Sequence, residues 1–499
     1  MTISRQIIGL LCAFISITVY AQEPNIFLDR AYWKTNPSVQ DIKLKIKEGN
    51  NPSELNASAF DATSLALIEK VDNETIKFLL NKKGNDVNKL THDGRTYIFW
   101  AAYRGNLEIM DYLVRKGAKT DVVDSHGYSM LNFAAVTGQS NTKIYDFCIA
   151  NGSNIKEEKN HDGANALLLV APFIKDIKLL DYFLTQGLDI NSVDNKGNGI
   201  FNYTAKNGNI EIMKRLIHMK VLFNSPNKDG GNAMIFASQG TRRNVNAIET
   251  FKYLESLGIN PNVTTNNGVT PLHALAYKSK DINVFDYFIS KGVNVNQTNE
   301  DGNTAFLNAA YNNDIEIVKH LEKHIEDINT KNKEGKSALT NAISRNTIAV
   351  AKFLIKKGAD ITVKDKEGNT LMYYILKHFN SDKIEEFNKK LELLKSKGLN
   401  PKAIQTKGNT LYHVALDKNN LELLKRVHEM GIDVNIKNDD KISPLHKAVM
   451  KAKDDVIIKY LISIGADKTA KTNFNETVYD LAKENELLKQ QNIDINFLK

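Results

Sequence analysis

The sequence predicts an all-α solenoid of about 12 helix-turn-helix repeats, with a cap at each end. The main observation is a glycine-centred turn that recurs along the 499-residue chain. Successive turns are 33 or 34 residues apart, except for three steps of 36, 38 and 40. Such a period indicates stacked units that bury their apolar faces only against each other. The turn glycines are Gly94, Gly127, Gly163, Gly197, Gly230, Gly268, Gly302, Gly335, Gly368 and Gly408, with Lys441 and Asn475 at the last two turns.

A second observation is an apolar column four residues after each turn position. A column that never becomes polar is expected to face the core of the stack. Two residues after the turn, Thr, Ser or Asn predominates, and these side chains are suited to capping the following helix. The apolar column consists of Ile98, Leu131, Leu167, Phe201, Met234, Leu272, Phe306, Leu339, Met372, Tyr412, Leu445 and Tyr479.

A third observation is a second helical pattern in each unit, such as Leu107 to Val114. Its apolar residues recur on one face of a 3.6-residue period. A glycine, here Gly117, follows the pattern and supplies the left-handed residue that ends a helix. Each unit is therefore predicted to contain a first helix, a turn, a second helix and a projecting loop.

The two ends of the chain depart from the repeat. We predict a signal peptide over 1–21, N-terminal capping helices over 22–60, repeats over 61–474 and a C-terminal cap over 475–499. A single helix is expected within the C-terminal cap. Caps shield the terminal repeats of a solenoid from water.

The first 21 residues have the pattern of a secretory signal. Arg5 precedes an apolar stretch from Ile7 to Val19, and Ala21 offers a small residue for cleavage. The stretch is too short for a membrane span, and no later apolar run is long enough for one. We therefore expect an exported protein, periplasmic or secreted, that has no membrane span and is a monomer. Cys148 lies in an apolar stripe and is expected to be a buried, unreactive thiol.

Two short motifs carry a family resemblance. Thr270 to Ala274 reads Thr-Pro-Leu-His-Ala, Ser443 to His446 reads Ser-Pro-Leu-His, and Gly358 to Asp360 reads Gly-Ala-Asp. These motifs, in register with the repeat, resemble the ankyrin repeat family, and the layout resembles exported bacterial ankyrin repeat proteins. The resemblance implies a non-catalytic protein-protein interaction scaffold that binds a partner through its concave face. An alternative that it also implies is an accessory protein to an exported enzyme such as catalase, or an immunity protein that neutralises a toxin.

Motifs for catalysis, cofactors and metals are lacking in the sequence. It contains no phosphate-binding loop, nucleophile elbow or zinc-protease signature. We therefore predict no enzyme activity, no cofactor and no metal. The net charge of +8 comes from interspersed charges rather than a basic block, so a nucleic-acid partner is not expected.

Histidines provide the remaining candidates for chemistry. His273, His413 and His446 occupy the histidine position of the repeat signature, where the resemblance implies hydrogen bonds to turn backbone. His320 and His324 lie four residues apart on a helix, and this spacing can serve a metal, although no third ligand is evident. A further set lies in consecutive turn loops, which could be brought together by stacking: His92, His126 and His161. We interpret these histidines as solvated loop tips.

Candidate partner-binding residues lie where the repeat does not need an apolar side chain. These are positions beside the turn glycine and nine or ten residues after it, where aromatic residues and arginine are typical of binding hot spots. The alternative is that these aromatic side chains pack locally. Two arginines lie in the insertion that lengthens one repeat to 38 residues. The candidates are Arg95, Tyr103, Arg104, Tyr128, Phe173, Arg242, Arg243, Tyr277 and Tyr311.

Export generates the first testable prediction. We expect the mature native protein to begin at Gln22, because the small residue Ala21 follows the apolar stretch. Intact-mass spectrometry of the protein from its native host would measure this. A mature protein that retains Met1 would contradict the prediction.

Overall fold

The structure, a computed structural model, describes residues 25–499. The predicted signal peptide over 1–21 therefore lies outside the described residues. Within 25–499 the chain forms 28 α-helices and no extended β-strand, with isolated β-bridges such as those of Lys331 with Ser337 and Lys471 with Thr477. No described helix is long and apolar enough to cross a membrane. The chain forms two compact units, one ending at Asn195 and the other beginning at Lys196.

The first unit contains an N-terminal helix pair followed by four repeat pairs. The N-terminal pair buries Trp33 completely, and its indole N–H donates to the Phe27 carbonyl at 2.9 Å. The helices are α1 Arg30–Trp33, α2 Val39–Lys47, α3 Ala62–Glu69, α4 Asn73–Leu80, α5 Tyr97–Arg104, α6 Leu107–Arg115, α7 Met130–Val136, α8 Thr142–Ala150, α9 Ala166–Val170 and α10 Ile177–Thr185.

The second unit continues the same alternation of first and second helices. One second helix, α22, has 13 residues, whereas most others in this unit have eight or nine. The helices are α11 Ile200–Ala205, α12 Ile210–His218, α13 Ala233–Gln239, α14 Ile248–Ser256, α15 Pro271–Leu275, α16 Ile282–Ser290, α17 Ala305–Asn312, α18 Ile315–Glu322, α19 Ala338–Arg345, α20 Ile348–Lys356, α21 Leu371–Lys377, α22 Ile384–Ser396, α23 Leu411–Leu416, α24 Leu421–His428, α25 Pro444–Lys451, α26 Val456–Ser463, α27 Val478–Glu484 and α28 Glu486–Gln490.

The predicted apolar column forms the core of the first helices. Every member from Ile98 to Leu445 is buried. Only Tyr479, in α27, is partly exposed. The predicted capping is also seen, for example where Ser129 and Thr304 accept backbone N–H groups at the start of α7 and α17.

The turns of neighbouring repeats bond directly to each other. The Lys333 N–H donates to the Asp301 carbonyl at 2.9 Å, and the Lys366 N–H donates to the Glu334 carbonyl at 2.8 Å. Gly302 has a φ of 77°, and an added Cβ there would lie 2.8 Å from the Lys333 nitrogen. Glycine is therefore needed both for the left-handed turn and for the close approach of the next turn.

The signature histidines cap their helices and join adjacent repeats. The Nδ1 atom of His413 accepts the Thr410 N–H at 3.2 Å, and its Nε2 atom donates to the Ile442 carbonyl of the next repeat at 2.9 Å. His273 and His446 make the same pair of contacts. The predicted structural role of these histidines is confirmed. Cys148 is fully buried, as predicted, and burial raises the pKa of its thiol.

A further tie between repeats lies at the carbonyl ends of the first helices. The Asn313 side-chain amide donates to the carbonyls of Ala276 and Ser279 at 3.0 and 2.8 Å. The Asn346 amide donates to Ala309, Ala310 and Asn313 carbonyls at 3.3, 3.1 and 2.7 Å. Helix ends leave carbonyls without partners inside the helix, and here the next repeat supplies them. Side-chain amides in this role, which we call the amide column, are those of Gln139, Asn246, Asn313, Asn346 and Asn485.

The C-terminal segment contains two helices rather than the single helix that we predicted. Asn485 ends α27 and at once caps α28, where its side-chain oxygen accepts the N–H groups of Leu487 and Leu488. Its amide donates to the Val449 and Ala452 carbonyls at 2.7 and 2.9 Å. The polar sequence after Glu484 conceals this short helix, since only Leu488 within it is buried.

The capping histidines make stability depend on pH. Burial is the main cause that lowers the pKa of His413 from 6.5 to about 4, and burial lowers the pKa values of His273 and His446 as well. Between pH 6.5 and about pH 4, the unfolded chain therefore binds more protons than the folded chain. The stabilisation is fully present above pH 6.5 and is lost as the pH falls toward 4.

We expect the thermal midpoint to fall when the pH is lowered from about 7 to about 4. His413→Thr, which copies the Thr340 of another repeat, should lower the midpoint at neutral pH because it removes the bond to the Ile442 carbonyl. It should also reduce the further loss at low pH, because one buried imidazole no longer resists protonation. Differential scanning calorimetry would measure both effects, and an unchanged pH dependence in the variant would contradict this account.

Candidate functional site

The predicted partner-binding residues fall into two groups, one in each compact unit. Those of the first unit are mostly engaged inside the repeat stack. Those of the second unit lie close together and are more exposed. The surroundings of the two groups differ in burial and charge.

Arg95 is buried in the first unit and is held by its own chain. Only 7% of its surface is exposed, and its Nε and Nη2 atoms each lie 2.7 Å from an Asp124 carboxylate oxygen. Its guanidinium also lies 4.3 Å from the centre of the Phe133 ring. We selected this position as one that the core leaves free, whereas the structure uses it to tie one turn to the next repeat. Arg95 is therefore not accessible as a partner contact in this structure.

The other candidates of the first unit are half-buried. The Tyr103 ring packs edge-on against Phe133 with centroids 6.2 Å apart, and the Arg104 Nε donates to the Ile68 carbonyl. Phe173 packs on Gly138, where an added Cβ would lie 2.7 Å from its ring. Burial raises the pKa of Tyr128. These contacts correspond to the local packing that we considered as the alternative for the aromatic residues.

Tyr277 and Tyr311 form the centre of the second group. Tyr277 is 41% exposed, and its ring centroid lies 5.8 Å from that of Tyr311 in the next repeat. The Arg345 guanidinium, one repeat further on, lies 5.4 Å from the Tyr311 ring centre. We call Tyr277, Tyr311 and Arg345 the tyrosine surface. Its three side chains lie at or just after the C-terminal ends of α15, α17 and α19, the first helices of three consecutive repeats. At these positions the side chains can face outward, and the guanidinium can lie against a tyrosine ring.

Arg242 and Arg243 lie beside this surface. Both are exposed on the inserted loop after α13. The loop is placed next to α15 because the Lys278 Nζ donates to the Thr241 carbonyl at 3.2 Å. The structure therefore brings four predicted residues, Arg242, Arg243, Tyr277 and Tyr311, to one region of the second unit.

Sequence reasoning missed Arg345 and a neighbouring group of cations. Arg345 follows its turn glycine by ten residues, at the same position as Arg104, and this spacing was the signal that could have identified it. A cleft of about 490 Å³ adjoins Arg345 and is lined by the ends of α19 and α21 and the start of α22. Its position follows from the 40-residue repeat, whose extra residues form the loop before α22.

The remaining histidine pairs do not form a metal centre. The His320 and His324 ring centroids lie 5.6 Å apart, and the Nε2 atom of His320 is 2.9 Å from an Asp286 carboxylate oxygen. His126 lies 3.3 Å from an Asp93 oxygen, so neighbouring turn loops do approach each other. Among residues 25–499 there is no group of three or more His, Cys, Asp or Glu side chains that could hold a metal ion.

Known proteins share the repeat with this chain. The two curated relatives below are matched over 18% and 9% of their own lengths, so the chain spans only a small part of each. The phosphocholine transferase AnkX of Legionella pneumophila is 28% identical over 179 residues, or 35% of this chain. Protein phosphatase 1 regulatory subunit 12A of Rattus norvegicus is 35% identical over 92 residues, or 17% of this chain.

A solved structure and a family model also match parts of the chain. The human ASB11 ankyrin repeat domain matches at 20% identity with a TM-score of 0.37, covering 44% of this chain and 96% of that domain. The profile of the family described as Ankyrin repeats (3 copies) matches residues 64–159, 167–264, 242–332, 306–387 and 383–472. These segments cover most of the chain. The chain belongs to the ankyrin repeat family.

Proposed function

We propose that this protein is a non-catalytic, monomeric scaffold that acts outside the cytoplasm and binds another protein on its first-helix face. The observation that carries the proposal is the tyrosine surface. Three large side chains from three consecutive repeats are stacked there. The core does not need Tyr277, and 41% of the surface of this residue is exposed. Ankyrin repeats serve as protein-protein interaction scaffolds, and this supports a protein as the partner.

The chemistry of the tyrosine surface suits an anchor for a partner. Tyrosine supplies a large contact area with few rotatable bonds, and tyrosine and arginine are both enriched at the centres of interfaces. Stacking between repeats orders the side chains before binding, so less conformational entropy is lost when a partner docks. The exposed Arg242 and Arg243 add positive charge at the edge of the surface, which favours a partner with carboxylates nearby.

A narrower version of the proposal is an accessory role. The partner would then be an exported enzyme such as catalase, in protection against oxidative stress, or a toxin that the protein neutralises. Both rest on the layout of a secretory signal followed by ankyrin repeats. Transferase activity is not part of the proposal, because the match to AnkX covers only 18% of that protein.

A paired substitution tests the proposed surface. Tyr277→Ala with Tyr311→Ala should weaken partner capture by about 2 kcal/mol or more, the usual scale for hot-spot residues. The measurement is quantitative mass spectrometry of proteins retained from a periplasmic extract, followed by titration of the enriched partner. The pair Tyr103→Ala and Arg104→Ala is a weaker test, because the loss of the Arg104 bond to the Ile68 carbonyl should also lower stability.

Tyr253 and Tyr460 provide the matched control. Both tyrosines are half-buried on second helices, α14 and α26, and their replacement removes the same number of rings. Tyr253→Ala with Tyr460→Ala should leave capture unchanged. Equal loss of capture from both pairs, or none from the tyrosine surface, would contradict the proposed binding face.

A further inference from the structure

The cleft next to α21 and α22 is lined by five lysine and arginine side chains together with neutral residues. Its volume is about 490 Å³, and it opens between the ends of the first helices α19 and α21. We call it the cationic cleft and define it by Arg345, Lys377, His378, Lys383, Lys390 and Lys418. Glu386 is the only carboxylate among the lining residues.

The cationic cleft arises where the amide column is interrupted. Eleven residues after their turn glycines, two consecutive repeats have Asn313 and Asn346, whereas the 40-residue repeat has Phe379 at that position. The carbonyls at the end of α19 are instead capped by Lys390 from the lengthened helix α22. Its Nζ donates to the Ala342 and Ile343 carbonyls at 3.1 and 3.0 Å. A neutral amide is thereby replaced by an ammonium group.

Lys390 is the most deeply buried of these cations. Only 6% of its surface is exposed, and two carbonyls use two of its three N–H donors. No described carboxylate lies within ion-pairing distance of it. Burial is the main cause that lowers the pKa of Lys390 to about 8. The Glu386 carboxylate on the same helix raises this pKa and Lys383 lowers it, so the carboxylate offsets the effect of burial only in part. A buried ammonium without an ion-paired carboxylate is costly, and a bound anion would offset that cost.

The rest of the cleft has the same excess of positive charge. Within residues 25–499, Arg345, Lys377, Lys383 and Lys418 form no ion pair either, although many other lysines of the chain do, such as Lys291 with Glu255. The one carboxylate, Glu386, accepts the Ile348 N–H and contributes a single negative charge against the five cations. Partial burial and then the charges of Arg345, Lys377, Lys418 and Lys336 lower the pKa of His378 to about 4.

We propose that the cationic cleft binds a small oxyanion that carries two or more negative charges, either a phosphate compound or a polycarboxylate. The volume lies within the range of small-molecule sites and exceeds the space needed for a single inorganic phosphate. Lys390 supplies a buried ammonium at the base, and Lys383 and Lys418 are exposed cations at the rim. The cleft adjoins the tyrosine surface and shares Arg345 with it, but Lys383, Lys390 and Lys418 do not belong to that surface.

Isothermal titration calorimetry on the full mature chain tests the cleft directly. Pyrophosphate, inorganic phosphate and citrate would be titrated at equal ionic strength, with chloride as the reference ion. We expect saturable binding of pyrophosphate or citrate, and weaker binding of phosphate because it contacts fewer of the cations. Binding of pyrophosphate alone would assign the cleft to phosphate compounds, and binding of citrate alone would assign it to polycarboxylates.

Two exposed lysines offer a variant that should fold. Lys383→Gln with Lys418→Gln should weaken anion binding by about tenfold or more, because two cations of the cleft become neutral. The matched control is Lys352→Gln with Lys364→Gln, which removes two exposed, unpaired lysines outside the cleft and changes the net charge equally. The control should bind like the wild type.

Several results would overturn the proposal. One is the absence of saturable binding for all three anions at about 10 mM. Another is an equal loss of affinity in both lysine-pair variants, which would indicate nonspecific attraction. Partner capture by Lys383→Gln with Lys418→Gln provides a separate readout, since Arg345 and the two tyrosines are unchanged. Capture that persists while anion binding is lost would show that these two lysines serve the oxyanion site and not the partner surface, as proposed.

Discussion

The last carbonyls of the first helices need hydrogen-bond donors from outside the helix, and the second unit depends on this requirement being met. A short helix leaves its last carbonyls without partners, and packing against the next repeat removes water from them. Asn313 and Asn346 resolve this by donating across the repeat boundary, with five bonds between 2.7 and 3.3 Å. A buried carbonyl without a donor costs about 1–3 kcal/mol. Each repeat is thus completed by its successor, and its stability depends mainly on its nearest neighbours.

The same constraint links the long repeat to the cationic cleft. An insertion between α21 and α22 displaces the residue that would have continued the amide column, so the carbonyls at the end of α19 need another donor. Lys390 reaches them from the middle of α22 and brings a positive charge with it. A change that solves a local hydrogen-bonding problem therefore creates a charged cavity beside Arg345, at the edge of the tyrosine surface.

Most of the fold could be predicted from the sequence because the same residue pattern recurs in successive repeats. A segment that is ambiguous in one repeat can then be interpreted from the others. One histidine or one apolar residue is weak evidence, but the column from Ile98 to Leu445 had to be a core, and it is buried. The roles of His273, His413 and His446 followed in the same way. The short helix α28 was missed because a single buried leucine gives no periodic pattern.

The surface was harder to predict because its residues depend on contacts between repeats. Arg95 occupies a turn position that is often free, yet Asp124 and Phe133 of the following repeat enclose it. Lys390 reads in sequence as one more surface lysine of an amphipathic helix. Only the loss of asparagine at Phe379, where Asn313 and Asn346 set the pattern, hinted that another donor was needed.

Hydrogen exchange of the Asn346→Ala variant tests the central claim, that neighbouring repeats stabilise each other by capping carbonyl ends. The substitution removes the donor for three carbonyls. We expect faster amide exchange in α17 and α19, on the two sides of the lost bonds, by about tenfold or more. Exchange in α25 and α26, several repeats away, should stay the same. Equal acceleration in all of these helices, or no change in α17 and α19, would contradict the account.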